Sequence, residues 1–249
     1  MSSKNGFTEN AHLYQASQTH REVDDLERAF QDLGSLFGLS ALDVATGTGH
    51  AARFLAKKQA HVFAVDINDE MLRVAQEESD KLSLPVRYLY SPAHDLNFDE
   101  EAFHIITCRL AAHHFGNPDG FLSECRRVLK PKGALVLIDN IVPEGAAGEW
   151  MNRYEKERDK SHHRCLSSRE WNEHLLAAGF EVKQSTPVPT TIEFGPWMER
   201  MSWDQARQDE MWEKLLHAPD EVHRAWTPRE HSGQREFTLS RQVFVAEKI

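Results

Sequence analysis

The stretch Ala41-Leu42-Asp43-Val44-Ala45-Thr46-Gly47-Thr48-Gly49-His50-Ala51-Ala52 constrains the fold more than any other part of the chain. An apolar run carrying one acid passes through two glycines one residue apart. It continues into Arg53-Phe54-Leu55-Ala56-Lys57-Lys58, which reads as a helix. The order is strand, tight turn, helix. Glycine has no Cβ and lets a ligand approach the backbone closely, and the start of a helix offers unpaired N–H groups. Such a turn suits a nucleotide-like molecule.

Two ligand classes use a turn of this kind. Gly47-Thr48-Gly49-His50-Ala51-Ala52 fits a dinucleotide fingerprint, with Asp66 ending the next strand where a ribose-binding acid belongs. Asp43 argues the other way. A carboxylate just before the turn repels a pyrophosphate and favours the ammonium of an amino acid, and S-adenosylmethionine carries that ammonium and no phosphate.

Leu42-Asp43-Val44-Ala45-Thr46-Gly47-Thr48-Gly49 resembles the first motif of class I S-adenosylmethionine-dependent methyltransferases, in the wording of the ubiquinone/menaquinone-biosynthesis type. Four later segments are also similar to motifs of that family: Val62 to Leu72, Asp95-Leu96-Asn97-Phe98 with Phe103 to Arg109, Ala112-His113-His114-Phe115, and Leu129 to Leu135. The likeness covers roughly residues 40 to 184. It implies S-adenosylmethionine as cofactor, held by Asp43, Ala45, Gly47, Thr48 and Gly49 of the turn, by Asp66 at the ribose, and by Ile67 and Met71 against the adenine. Many relatives place an acid where Pro92 stands, so Ala93, His94 and Asp95 are left to serve the adenine edge. Arg109 to Phe115 should run under the methionine arm, with backbone carbonyls for the ammonium and His113 or His114 facing the methyl group.

The N-terminal segment reads as helix from Asn10 to Leu36, because Leu13, Ala16, Val23, Leu26, Ala29, Phe30 and Leu33 recur at three- and four-residue steps before Gly34 and Gly38. Tyr14, Ser17 and His20 share one face of it. Their spacing resembles a segment that folds over the cofactor in small-molecule methyltransferases, which gives Tyr14 a cofactor role and His20 a substrate role.

Beyond the turn the chain alternates: strands His61 to Asp66, Val86 to Tyr90, Phe103 to Cys108 and Ala134 to Asp139, with helices Asp69 to Asp80 and Asp119 to Leu129. Alternation of this kind predicts a Rossmann-like α/β fold, a mostly parallel seven-stranded sheet with helices on both faces and ligands at the carboxyl ends of the strands. A helix from Gly145 to Lys160, another from Ser168 to Ala178 and a sixth strand from Phe180 follow. Phe237 to Ala246 alternates like a strand and is expected at the sheet edge as its last member, which the family resemblance implies is antiparallel. The domain reading is a helical cap over 1–39, a cofactor-binding core over 40–186 and 234–249, and a helical substrate-side insertion over 187–233. Trp197 in that insertion can shape an apolar pocket.

Arg158-Asp159-Lys160-Ser161-His162-His163 is similar to a segment of the uncharacterised YcgJ-like small-molecule methyltransferases. It puts Arg158, Asp159 and His162 in the acceptor pocket.

A net charge of −10, from 39 acidic and 29 basic residues, disfavours nucleic acid as a partner. No apolar run approaches the ~20 residues of a membrane span, and Met1-Ser2-Ser3-Lys4-Asn5-Gly6 lacks a signal-peptide core. A cytoplasmic monomer or homodimer without membrane insertion is expected. Cys108, Cys125 and Cys165 are widely spaced and expected as thiols, and the doublets His113-His114 and His162-His163 are not expected to hold a metal, since adjacent side chains diverge.

Methyl transfer from a sulfonium is an in-line displacement that needs alignment and a ready nucleophile. His113 or His162, oriented by Asp159, is the expected base for a small acceptor methylated on carbon, oxygen or nitrogen. The competing functions are a protein that binds S-adenosylmethionine without transferring its methyl group and a nicotinamide-dependent oxidoreductase.

Overall fold

The computed structural model describes residues 10–17 and 23–249. Eight strands form one sheet: β1 (Ser40–Val44), β2 (His61–Asp66), β3 (Val86–Tyr90), β4 (Phe103–Arg109), β5 (Leu129–Ile141), β6 (Phe180–Glu193), β7 (Arg229–His231) and β8 (Gln234–Lys248). Their order is β3-β2-β1-β4-β5-β8-β6, with β7 paired to β8. The first five are parallel, and β8 runs antiparallel to both β5 and β6. Order reverses between β1 and β4, so the loops leaving these two strands diverge and open a cleft at their carboxyl ends.

Alternation along the central strands builds a core on each face. Leu135, Leu137, Phe244 and Ala246 pack on one side with Phe121, Leu122, Trp171 and Phe180. Val136, Ile138, Val243 and Val245 pack on the other with Leu26, Phe30, Leu55 and Ala52. Fully burying one such leucine or phenylalanine contributes about 1.5–3 kcal/mol, so these two layers fix the sheet and therefore the cleft above it. All three cysteines are buried thiols. No helix among the described residues is long and apolar enough to cross a membrane.

Four expectations change. The N-terminal helix is not continuous: Ala11–Ala16 and Asp24–Phe30 are separate, and Ser17 is already extended. An eighth strand exists because β7 and β8 form a hairpin over residues 229–248. The last strand does not take the edge: β8 lies between β5 and β6, its Val243, Phe244 and Val245 buried, and β6 takes the edge with alternately exposed residues that include Pro187 and Pro189. Proline fits there because an edge strand leaves one row of backbone groups unpaired. The segment 187–233 begins and ends as strand. Its helices are Phe194–Glu199, Gln205–Leu216 and Asp220–Trp226. Trp197, Trp212 and Trp226 close over Met151, Tyr154 and Phe237 in a third apolar cluster, which seats the insertion on the helix Ala146–Arg158 and on β8.

Candidate functional site

The β1 turn is held by its own side chains. Ala45, Gly47 and Gly49 have φ of 53°, 53° and 82°. Asp43 accepts from Thr107 Oγ1 of β4 and from Thr46 Oγ1, each at 2.6 Å. Burial pushes its pKa up to about 6 against those hydrogen bonds. Asp66 at the end of β2 accepts the backbone N–H groups of Gly47 at 2.8 Å and Asn68 at 3.0 Å. Burial raises its pKa, and the same two hydrogen bonds oppose the rise.

A cavity of about 310 Å³ lies over this turn. Of the residues expected at the cofactor, Tyr14, Asp43, Ala45, Gly47, Thr48, Asp66, Ile67, Met71, Arg109 and His114 line it. So do His113, Arg158, Asp159, His162 and Trp197 from the expected catalytic and acceptor sets. His20 lies outside the described residues.

Two sets of expected cofactor residues lie outside the cavity wall. Gly49 is not in the cavity wall: a Cβ there would sit 2.5 Å from Tyr88 Oη and 3.0 Å from Ala75 Cβ, so its glycine serves packing of the turn against β3 and the helix Asp69–Lys81. A Cβ on Gly47 would meet nothing within 4 Å. Gly47 is thus the glycine that leaves room for a ligand. Ala93, His94 and Asp95 also lie outside the wall, in a turn closed on itself by Ser91 Oγ donating to the Asp95 carbonyl at 3.0 Å and Asp95 N–H to Pro92 at 3.2 Å.

Asp139, at the end of β5, holds His113. Its Oδ2 accepts the His113 N–H at 2.7 Å and its Oδ1 meets ring Nδ1 at 2.6 Å. Burial disfavours a charged ring, but the Asp139 carboxylate outweighs it and raises the His113 pKa. With Nδ1 engaged, Nε2 is the nitrogen left for chemistry. His114 packs on His113 with ring centres 4.2 Å apart and meets Ser161 Oγ through Nδ1 at 3.1 Å. Burial, aided by the charge of His113, pushes it down to about 4.

His162 is 1% exposed, and its Nε2 is 2.9 Å from Asn152 Oδ1, an oxygen that also accepts the Cys165 N–H. Because that amide oxygen can only accept, Nε2 carries the ring proton. Burial, with the charges of His113, His114 and Arg158, drives the His162 pKa down to about 2. His162 is a neutral polar wall rather than the expected base. Asp159 does not orient a base either: its Oδ1 accepts from Ser161 N–H at 2.8 Å and Ser161 Oγ at 2.5 Å, and its Oδ2 lies 3.8 Å from Arg158 Nη2. Burial opposes ionisation there, but Arg158 and these hydrogen bonds hold the carboxyl below its ordinary range.

Arginines frame the rest of the cavity. The Arg109 guanidinium pairs with Asp25 at 3.0 Å, and Arg241 Nη1 reaches the same carboxylate at 3.2 Å. Arg158 lies 4.0 Å over the Trp197 ring and 3.3 Å from Glu155 Oε2. Arg200 donates to Ser17 Oγ at 3.0 Å and lies 5.9 Å from the Tyr14 ring centre. Arg200, Arg241, Asp25, Asp139 and Asn152 were not singled out by sequence. Of these only Asp139 carried a local signal, as the acid ending a central strand. Among the described residues no three metal-ligating side chains gather at one point.

A model described as a methyltransferase domain matches residues 42–137. The chain is 30% identical over 224 residues to the uncharacterized methyltransferase YcgJ of Bacillus subtilis, covering 89% of this chain and 88% of that one. It is 36% identical over 104 residues to a demethylmenaquinone methyltransferase of Thermotoga maritima, covering 41% and 44%. The crystal structure of YcgJ superposes with a TM-score of 0.82 at 27% identity, covering 91% of this chain and 99% of that one. A solved structure from Bacillus halodurans C-125 gives 0.84 at 34%, with the same coverage.

Proposed function

The chain belongs to the YcgJ-like methyltransferases, and from that premise we propose that it uses S-adenosylmethionine to methylate a small-molecule acceptor. One observation carries the proposal: a single cavity joins the Gly47 turn and Asp66 to the His113–Asp139 pair.

The wall fits the cofactor. Gly47 leaves open space beside it, Asp66 retains lone pairs for ribose hydroxyls, and Ile67 presents a half-exposed apolar flank suited to adenine. Asp43 is a buried anion near the expected ammonium. Bound there, S-adenosylmethionine supplies an electrophilic methyl group on a sulfonium whose leaving group departs uncharged.

The chain's own work is then alignment and deprotonation. His113, oriented through Nδ1 by Asp139, takes a proton from the acceptor's O–H, N–H or acidic C–H at Nε2. The ring becomes an imidazolium next to the Asp139 carboxylate, which stabilises that charge. His162 and Trp197 exclude water beside it, and this strengthens every electrostatic contact inside.

Calorimetry with S-adenosylmethionine, S-adenosylhomocysteine and NAD tests the cofactor assignment. Micromolar binding of the first two without NAD is the expected result, and NAD binding without them would overturn the function.

A further inference from the structure

Four guanidinium groups, Arg109, Arg158, Arg200 and Arg241, line the cavity. Three have carboxylate partners: Arg109 and Arg241 share Asp25, and Arg158 meets Glu155 and Asp159. Arg200 is different. It is only 8% exposed, yet among the described residues it forms no ion pair, and its one hydrogen-bonded side-chain partner is the neutral hydroxyl of Ser17. A cation removed from water is costly unless a counter-charge meets it. The cost is visible: burial, with the Arg158 guanidinium adding to it, pushes the Arg200 pKa down to about 10.

Arg200 is therefore the one of the four cavity arginines that has no carboxylate partner among the described residues. We propose that the methyl acceptor is a small organic monocarboxylate and that Arg200 receives its carboxylate. This rests on the methyltransferase reading above. A guanidinium matches a carboxylate in two parallel hydrogen bonds, and Arg200 still has Nε and Nη2 to offer. Ile192, Trp197 and Leu239 in the same wall give the remainder of such a molecule an apolar seat.

The cofactor's own carboxylate is the other anion within reach of this chemistry. Placement favours the acceptor. The charged groups whose fields act most strongly on Arg200 are Arg158, Glu155 and Arg241, on the helix Ala146–Arg158 and on β8, and none belongs to the β1 turn or to the end of β2. Tyr14, expected at the cofactor, has its ring centre 5.9 Å from the guanidinium, so the affinity for S-adenosylhomocysteine in Arg200→Gln separates the two anions.

The test uses the full chain, saturated with S-adenosylhomocysteine, and isothermal titration with matched pairs of benzoate and benzamide, phenylacetate and phenylacetamide, and octanoate and octanamide. At least one acid should bind about tenfold to a hundredfold more tightly than its amide, as the loss of charge-assisted hydrogen bonds implies. In Arg200→Gln that preference should vanish, while S-adenosylhomocysteine affinity changes less than about threefold. Arg200→Lys, which keeps the charge without the fork, should retain part of the preference. Acids and amides binding equally, or no acid binding at all, would overturn the proposal. So would loss of S-adenosylhomocysteine affinity in Arg200→Gln with acid preference intact, which would assign the guanidinium to the cofactor. The acid-over-amide comparison in the unsubstituted chain does not depend on how the variants fold. Failure of S-adenosylhomocysteine itself to bind is a separate result that overturns the cofactor assignment.

Discussion

Asp139 grips His113 twice, accepting its backbone N–H at 2.7 Å and its ring Nδ1–H at 2.6 Å, so that residues 26 apart in sequence form one unit between the turn that follows β4 and the last residues of β5. If His113 is the base, activity falls as pH drops through its pKa, which the carboxylate holds above the ordinary histidine value. Asp139→Ala removes the strongest support against burial and leaves only the more distant Glu155 and Asp159 to oppose it. The acid limb of the pH–rate profile should move to lower pH, and the plateau should fall by roughly 10²–10⁴-fold as the ring loses its orientation. An unmoved acid limb would exclude His113 as the titrating group.

Asp66→Ala should weaken S-adenosylhomocysteine binding by about tenfold to a hundredfold, because it removes hydrogen bonds from a buried carboxylate to the ligand and frees the Gly47 N–H. Calorimetry reads this directly. Affinity unchanged within about twofold would remove Asp66 from the cofactor site.

The two glycines of the turn should separate stability from binding. Gly49→Ala forces a methyl group to 2.5 Å from Tyr88 Oη at a φ of 82°, and should cost about 2–4 kcal/mol of stability from overpacking and left-handed strain combined. Gly47→Ala meets no atom within 4 Å, so it should cost only about 1–2 kcal/mol while its methyl group occupies ligand space. Chemical denaturation should rank Gly49→Ala as the less stable variant, and calorimetry should rank Gly47→Ala as the weaker binder relative to its stability.

How much of this was legible in the sequence depends on how far apart the interacting residues lie. The strands His61–Asp66 and Val86–Tyr90 coincide with the expected bounds, because their β-branched and aromatic runs are local signals ended by a turn. The length of β6 was hidden: Gln184 to Thr191 has no apolar face, and its pairing is imposed by β8, some fifty residues later. In the site, the family likeness supplied Asp43, Gly47 and Asp66, which sit at fixed offsets from one turn. Asp25 with Arg241 joins residues 216 apart, and Arg200 meets Ser17 across 183. No window of sequence contains such pairs. The expectation that Asp159 orients a histidine had the same origin, since Asp159 is close to His162 in sequence, whereas the carboxylate that meets His113 in space is Asp139.

Three of the cavity's histidines, His113, His114 and His162, should give opposite slopes of stability against pH. His114 and His162 are driven down to about 4 and about 2, chiefly by burial. Below an unfolded value of about 6.5 the unfolded chain binds protons that the folded one refuses, so their contribution is lost as pH falls, by at most about 1.4 kcal/mol per pH unit for each ring. His113 is raised, so its contribution is present below about 6.5 and is lost as pH rises through its folded pKa. The histidine part of the stability should therefore peak near pH 6.5. His162→Asn, which cannot titrate, should flatten the acid side in denaturation measured between pH 4.5 and 6.5, roughly the window these shifts define. It should leave the alkaline side, set by His113, in place. An acid slope unchanged in His162→Asn would show that this ring is not held neutral in the folded protein.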